Sequence, residues 1–325
     1  MSELIPAFDF HRVFVVPWTS DFFSFVWIAL MGFFVATACG LIGNYLILRR
    51  MALVGDAISH SILPGLAIAF LLANTRAAPA MFAGALAAGI FTTVMIEFIH
   101  KKSRVKQDAA IGITFSTLFA IGVILISLYA DRVDLDQECV LYGEIAFVPL
   151  APFVHWGVPL GPEPVVRMAV VAILTTVLIV LFYKELLVTS FDPALATSLG
   201  INSGVMHYAL MSMLSVVVVS SFESVGAILV IAMLILPGAT ASLLSRRLPI
   251  ILMLSVGHAI LSSLLGIHLA VWLQCSVAAA MVVMGTVLYT LAWFFAPHEG
   301  LVARWFRPRL IEPFFNLEPA PSHGR

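Results

Sequence analysis

Charge is the scarcest property of this chain. Only 11% of its 325 residues are Asp, Glu, Lys or Arg, where a soluble domain carries roughly 25%. Cysteine is nearly absent too: Cys39, Cys139 and Cys275 are far apart and form no CxxC, which excludes a disulfide framework and a thiolate metal site. The phosphate-binding GxxxxGK[ST] pattern is missing, and no Gly-Lys pair occurs at all, so ATP is not bound by that route. HExxH is also missing, because His298-Glu299 runs on into Gly, Leu and Val. The serines have no matching base in a nucleophile elbow and are read as helix-packing residues. With 17 basic residues against 18 acidic ones, nothing points to nucleic acid. No catalytic residue is identified.

What is present is hydrocarbon: 61% of the residues are hydrophobic. A bilayer core of about 30 Å needs roughly 20 apolar residues of helix. Runs of that kind fall near 22–48, 54–73, 79–99, 109–129, 165–183, 205–222, 225–244, 250–269 and 276–296. The expected fold is an all-α polytopic transmembrane helix bundle of about 8–9 spans, surrounded by membrane lipid. Residues 1–20 form a leading segment, 21–297 the membrane domain and 298–325 a tail rich in proline and arginine, without a core of its own. The first run is too long for a secretory signal and lacks a basic flank.

The few charges give an orientation. Arg49, Arg50, Lys101, Lys102, Arg104, Lys106, Lys184, Arg246 and Arg247 fall on one side with the arginines of the tail, and only Arg12, Arg76, Arg132 and Arg167 fall on the other. The positive-inside rule then places the N-terminus outside and the C-terminus in the cytoplasm. The long connection near 130–164 lies outside and is acidic, and it either meets a basic docking partner or, the favoured reading, is merely solvated.

Against this apolar background "LVGDAISHSILPG", 53–65, stands out. Asp56 and His60 are four residues apart on a helix, with Cβ atoms about 5–6 Å apart. An oxygen and an imidazole so placed suit Mn, Fe or Zn. Asp56 as a helix cap and His60 as a packing histidine explain the same residues. Arg50 is only about 9 Å of helix from Asp56, which puts the pair near the inner face unless the loop folds back into the protein. Pro64 and Gly65 are expected to kink or unwind this helix just beyond His60. Pro237 and Gly238 end a similar run, "VGAILVIAMLILPG", in the seventh span.

Other intramembrane groups are read more plainly. Glu223, at the junction of the sixth and seventh spans, is a ligand, a gate or a turn residue, and Glu97 pairs with the basic cluster that follows it. His258 and His268 are ten residues apart and cannot share an ion. In "FDPALATSLGINSGV", 191–205, Asp192 is a cap, Pro193 suits a first turn, and Gly200 suits a stop. Ala194, Leu195 and Leu199 fall between them, so a short amphipathic helix is expected, either resting on headgroups or docking a soluble partner.

Taken together, "LRRMALVGDAISHSILPGLAIAF" at 48–70, "SFDPALATSLGI" at 190–201 and "SFESVGAILVIAMLILPGATASLLSRRL" at 221–248 resemble the permease subunits of ABC importers for manganese, zinc and iron. The resemblance covers about residues 20–296. It implies a permease with no permanently bound cofactor, whose divalent metal is cargo, pairing with a second permease subunit around a central pathway. Cytoplasmic ABC ATPase subunits would dock on the short helix spanning Asp192 to Gly200, and an extracytoplasmic metal-binding protein would deliver the ion. It also favours Asp56 and His60 as pathway residues. The "FESVG" around Glu223 is closer to the manganese or iron branch than to the zinc branch. The competing classes are an ion-coupled secondary transporter and a non-transporting assembly subunit.

Overall fold

The computed structural model describes residues 6–73, 77–129, 145–150, 152–155, 158–296, 300 and 302. Nine helices among them are long and apolar enough to cross a membrane. We number the helices α1 (Phe22–Leu48), α2 (Val54–Ala73), α3 (Ala78–Lys102), α4 (Gln107–Leu128), α5 (Glu163–Leu181), α6 (Tyr183–Phe191), α7 (Pro193–Ser198), α8 (Ser203–Leu244), α9 (Leu248–Leu273) and α10 (Val277–Phe295). Two spans, Ser203–Phe222 and Val225–Leu244, lie within α8.

With lipid as solvent, apolarity does not sort inside from outside, so small residues decide which helices approach closely. α1 is the most buried span and α4 the least. α1 packs on both halves of α8, on α9 and on α5, and its Gly43 lies directly against the Leu234 carbonyl, a place no Cβ could occupy. α2 and α3 cross where Gly65 meets Gly84. α4 covers the far side of α2, and α10 packs on α9 and α8.

The two halves of α8 run in opposite directions. His207 lies beside Arg49 at the basic end of the bundle, and Gly238 returns to that end against Asn44 and Ile47. The reversal takes place at Gly226, whose φ of 73° and ψ of 167° are open only to glycine. This relocates an expected break. α8 contains Pro237 within a helical run, and α2 likewise continues through Pro64 and Gly65 to Ala73. Neither Pro-Gly pair unwinds its helix. Neighbouring spans hold the backbone there, while Gly226 alone needs a conformation that helix cannot supply.

Two further elements were not anticipated. After Phe182 the chain starts a new helix, α6, instead of leaving directly into a loop. In the long connection, β1 (Pro152–His155) and β2 (Val158–Pro162) pair antiparallel, with Pro152 opposite Pro162 and His155 opposite Val158. Its acidic residues from Asp131 to Glu144 lie outside the described residues, and Glu163 opens α5. Residues 6–20 fold back onto α9: Trp272 Nε1 donates to the Pro6 carbonyl at 3.1 Å, and His268 Nδ1 lies 2.9 Å from that of Val13.

Candidate metal pathway and docking helix

Asp56 lies inside the first turn of α2, which begins at Val54, and so is not its N-cap. Its carboxylate still benefits from the positive end of the helix dipole. Oδ1 is 3.3 Å from His60 Nε2, and each side chain is about a third exposed, 35% and 33% respectively. Two donors at that separation fit neighbouring positions around one ion with bonds of about 2.0–2.2 Å. Phe115 and Phe119 of α4 flank the imidazole, each ring centroid 5.8 Å away.

Pro64 contributes without breaking the helix. It has no N–H, so the His60 carbonyl four residues earlier loses its ladder donor.

The depth of the pair follows from packing. After α1 the chain turns back into the bundle: Met51 is buried and its N–H donates to the Leu46 carbonyl at 2.8 Å. Leu234 lies with its carbonyl against Gly43 and its side chain over Gly55. Gly55 is therefore level with a residue about 9 Å up α1 from Arg49, and His60 is about 7 Å further. That sets His60 about 16 Å along the bundle from Arg49, where a hydrocarbon core is about 30 Å thick. The fold-back removes the objection that Arg50 holds the pair at the inner face.

The pair is incomplete by itself. Among the described residues no group of three or more His, Cys, Asp or Glu could hold a metal ion. The Glu223 side chain lies outside the described residues; its backbone sits in α8 beyond Ser221, whose hydroxyl reaches Met168 Sδ of α5 at 3.5 Å. One turn beyond His60 begins a groove of about 740 Å³ between α2, α3 and α4, lined from Pro64 to Leu72 on α2 and by apolar residues throughout. His258 and His268 are far from the pair, on the carbonyls of Gly285 and Val13. Each is buried in contact with a backbone carbonyl, consistent with helix packing.

At the basic end, α7 has the form its sequence suggests. Asp192 Oδ1 accepts from the N–H groups of Ala194 and Leu195, both at 3.0 Å, with Pro193 opening the helix. Gly200 closes it at φ 80°, and the Ile201 N–H donates to the Ala196 carbonyl at 2.9 Å. Ala196 is fully buried, while Phe191, Leu195 and Leu199 are 64%, 49% and 62% exposed. A capped helix that points leucines outward has a surface suited to a partner.

Residues 22–296, nearly the whole described chain, match the family described as the ABC 3 transport family. The chain belongs to that family. It is 46% identical over 281 residues to the manganese transport system membrane protein MntD of Bacillus subtilis, covering 86% of this chain and 95% of that protein. It is 42% identical over 287 residues to the zinc transport system membrane protein TroD of Treponema pallidum, covering 88% of this chain and 77% of that one. Among solved structures it is similar to a chain of PsaBC from Streptococcus pneumoniae in complex with Fab, with a TM-score of 0.71 and 33% identity over 88% of this chain and 96% of that one. As an ABC transport family permease it has no ATPase of its own, and hydrolysis belongs to a partner subunit.

The sequence did not reveal one polar cluster. Arg49, Glu97, Lys101, Thr189, Ser190 and His207, from four helices, meet at the basic end beside α7. The Glu97–Lys101 pair was legible as an i,i+4 spacing. The long-range members carried no signal, because nothing in a local window links residue 49 to 189 or 207.

Proposed function

We propose that this permease imports manganese or zinc, with Asp56 and His60 forming a transient two-donor station near the middle of the membrane. The observation that carries the reading is the carboxylate and imidazole 3.3 Å apart on the first turns of α2, in a chain whose relatives are named for manganese and zinc transport. A station that must release its ion is better built from two protein donors, the freed His60 carbonyl and water than from a closed four-ligand cage. The apolar groove and the partial exposure of the pair leave room for a second permease subunit to complete the pathway. The exposed leucines of α7 are the contact for the ATPase, and an extracytoplasmic binding protein delivers metal at the opposite end. Family membership disfavours the ion-coupled secondary transporter and the non-transporting assembly subunit.

Uptake of manganese and of zinc by cells carrying the complete transporter tests the assignment, with Asp56→Asn and His60→Ala compared at matched membrane levels. Near-normal uptake of both metals in both variants would reject the station. Reporter fusions after Lys106 and after Arg247 are expected to read cytoplasmic, and one near Asp134 extracytoplasmic. The reverse at any two would overturn the orientation.

A further inference from the structure

Arg49, at the C-terminal end of α1, spreads its guanidinium over two other helices. Nε donates to Ser190 Oγ at 3.0 Å and Nη2 to Thr189 Oγ1 at 3.0 Å, both on α6, while Nη1 meets His207 Nδ1 of α8 at 3.4 Å. His207 Nε2 lies 3.3 Å from Glu97 Oε2 on α3, and Glu97 Oε1 binds Lys101 Nζ at 2.6 Å. Lys101 also sits 5.8 Å from the ring centre of Tyr208.

His207 bridges two partners of opposite kind. Its Nδ1 faces a guanidinium, which only donates, and its Nε2 faces a carboxylate, which only accepts, so the ring joins Arg49 to Glu97. Glu97 is 8% exposed and cannot turn to solvent instead.

The position of this cluster is informative. α6 ends at Phe191, and Asp192, the cap of α7, follows at once. α6 packs on α1, α5 and α8 through the buried Leu186, and the two Arg49 hydrogen bonds add a polar attachment to the end of α1. Arg49 also opens the turn that leads into α2, and α3 packs on α2 at Gly65 and Gly84. Both routes from α7 through this cluster therefore end on the helix that carries Asp56 and His60.

We propose that Arg49, His207 and Glu97 form the link that transmits movement of the docking helix to the metal-carrying helix. This rests on the reading of α7 as the ATPase contact. These are positioning residues, because none touches the ion.

The test uses the complete permease–ATPase complex with its binding protein in proteoliposomes, and reads manganese taken up per ATP hydrolysed. Arg49→Lys keeps the charge, but a single nitrogen cannot span the three acceptors that Arg49 meets with three separate nitrogens on two helices. His207→Gln keeps one acceptor beside one donor; His207→Ala removes both. Arg49→Lys and His207→Ala are expected to lower uptake per ATP about tenfold or more, with the ATPase still copurifying, while His207→Gln stays within about threefold of wild type. Equal coupling in His207→Ala and wild type overturns the proposal, as does equal loss in His207→Gln and His207→Ala. Loss of the bound ATPase together with uptake shows a purely structural role and also overturns it. A wild-type complex that neither holds the ATPase nor takes up metal defeats the underlying reading; a competent wild type with unaffected variants defeats the link alone.

Discussion

Among the described residues, the Asp56–His60 pair and the cluster around Arg49 are built differently. The Asp56–His60 pair comes from one helix, has a single 3.3 Å contact, and leaves each side chain a third exposed. The Arg49 cluster draws on four helices, and each of its central members is held in more than one direction. A buried charge with several partners resists movement, because each lost bond leaves a desolvated group behind. A pair with one weak internal contact has free lone pairs to offer a passing ion. On the reading proposed above, that difference suits one cluster to let an ion go and the other to hold helices together.

The largest effect that would sharpen this contrast is on transport. Asp56→Asn and His60→Ala are expected to lower uptake about 100-fold, while thermal stability of the purified complex changes by no more than about 1 kcal/mol, since the pair is partly solvated. Glu97→Ala should show the opposite balance. It removes the shared partner of His207 and Lys101, and denaturation should report a loss of about 1–3 kcal/mol. If Asp56→Asn were the more destabilising of the two, the contrast would collapse. Asp192→Ala comes next: loss of the α7 cap is worth about 0.5–2 kcal/mol, read as weaker ATPase copurification with normal membrane insertion. The smallest effect is expected from Pro64→Ala, which restores an N–H to the His60 carbonyl. A drop of about threefold in uptake, near 0.7 kcal/mol, is the anticipated result, and unchanged uptake would mean that this carbonyl takes no part.

Much of the fold was legible because lipid imposes one rule. A span must be long and apolar, and the nine runs in the sequence correspond to the nine spans among the described residues. The α7 helix was legible for another local reason: Asp192, Pro193 and Gly200 each act within a few residues of their own position. The Pro-Gly pairs do not unwind their helices, for the converse reason. A proline weakens a helix locally, but packing helps decide whether the helix unwinds, and α2 is packed by α3, α4 and α8 while α8 is packed by α1, α3, α9 and α10. The small hairpin of β1 and β2 escaped notice because short pairings in a loop leave no hydropathy pattern.

Composition and spacing by themselves determined that the chain is a membrane helix bundle, that its charges lie mostly at one end, and that Asp56 and His60 share a helix face. Each of these depends on residues within a turn or a span of one another. Tertiary structure alone decided how deep the pair lies, since that depends on Leu234 packing against both Gly43 and Gly55. It alone brought Arg49, Glu97, Thr189 and His207 together. Contacts between residues so distant in the chain arise only when helices dock, and in lipid the docking is set by close steric fit and buried hydrogen bonds, which hydropathy does not record.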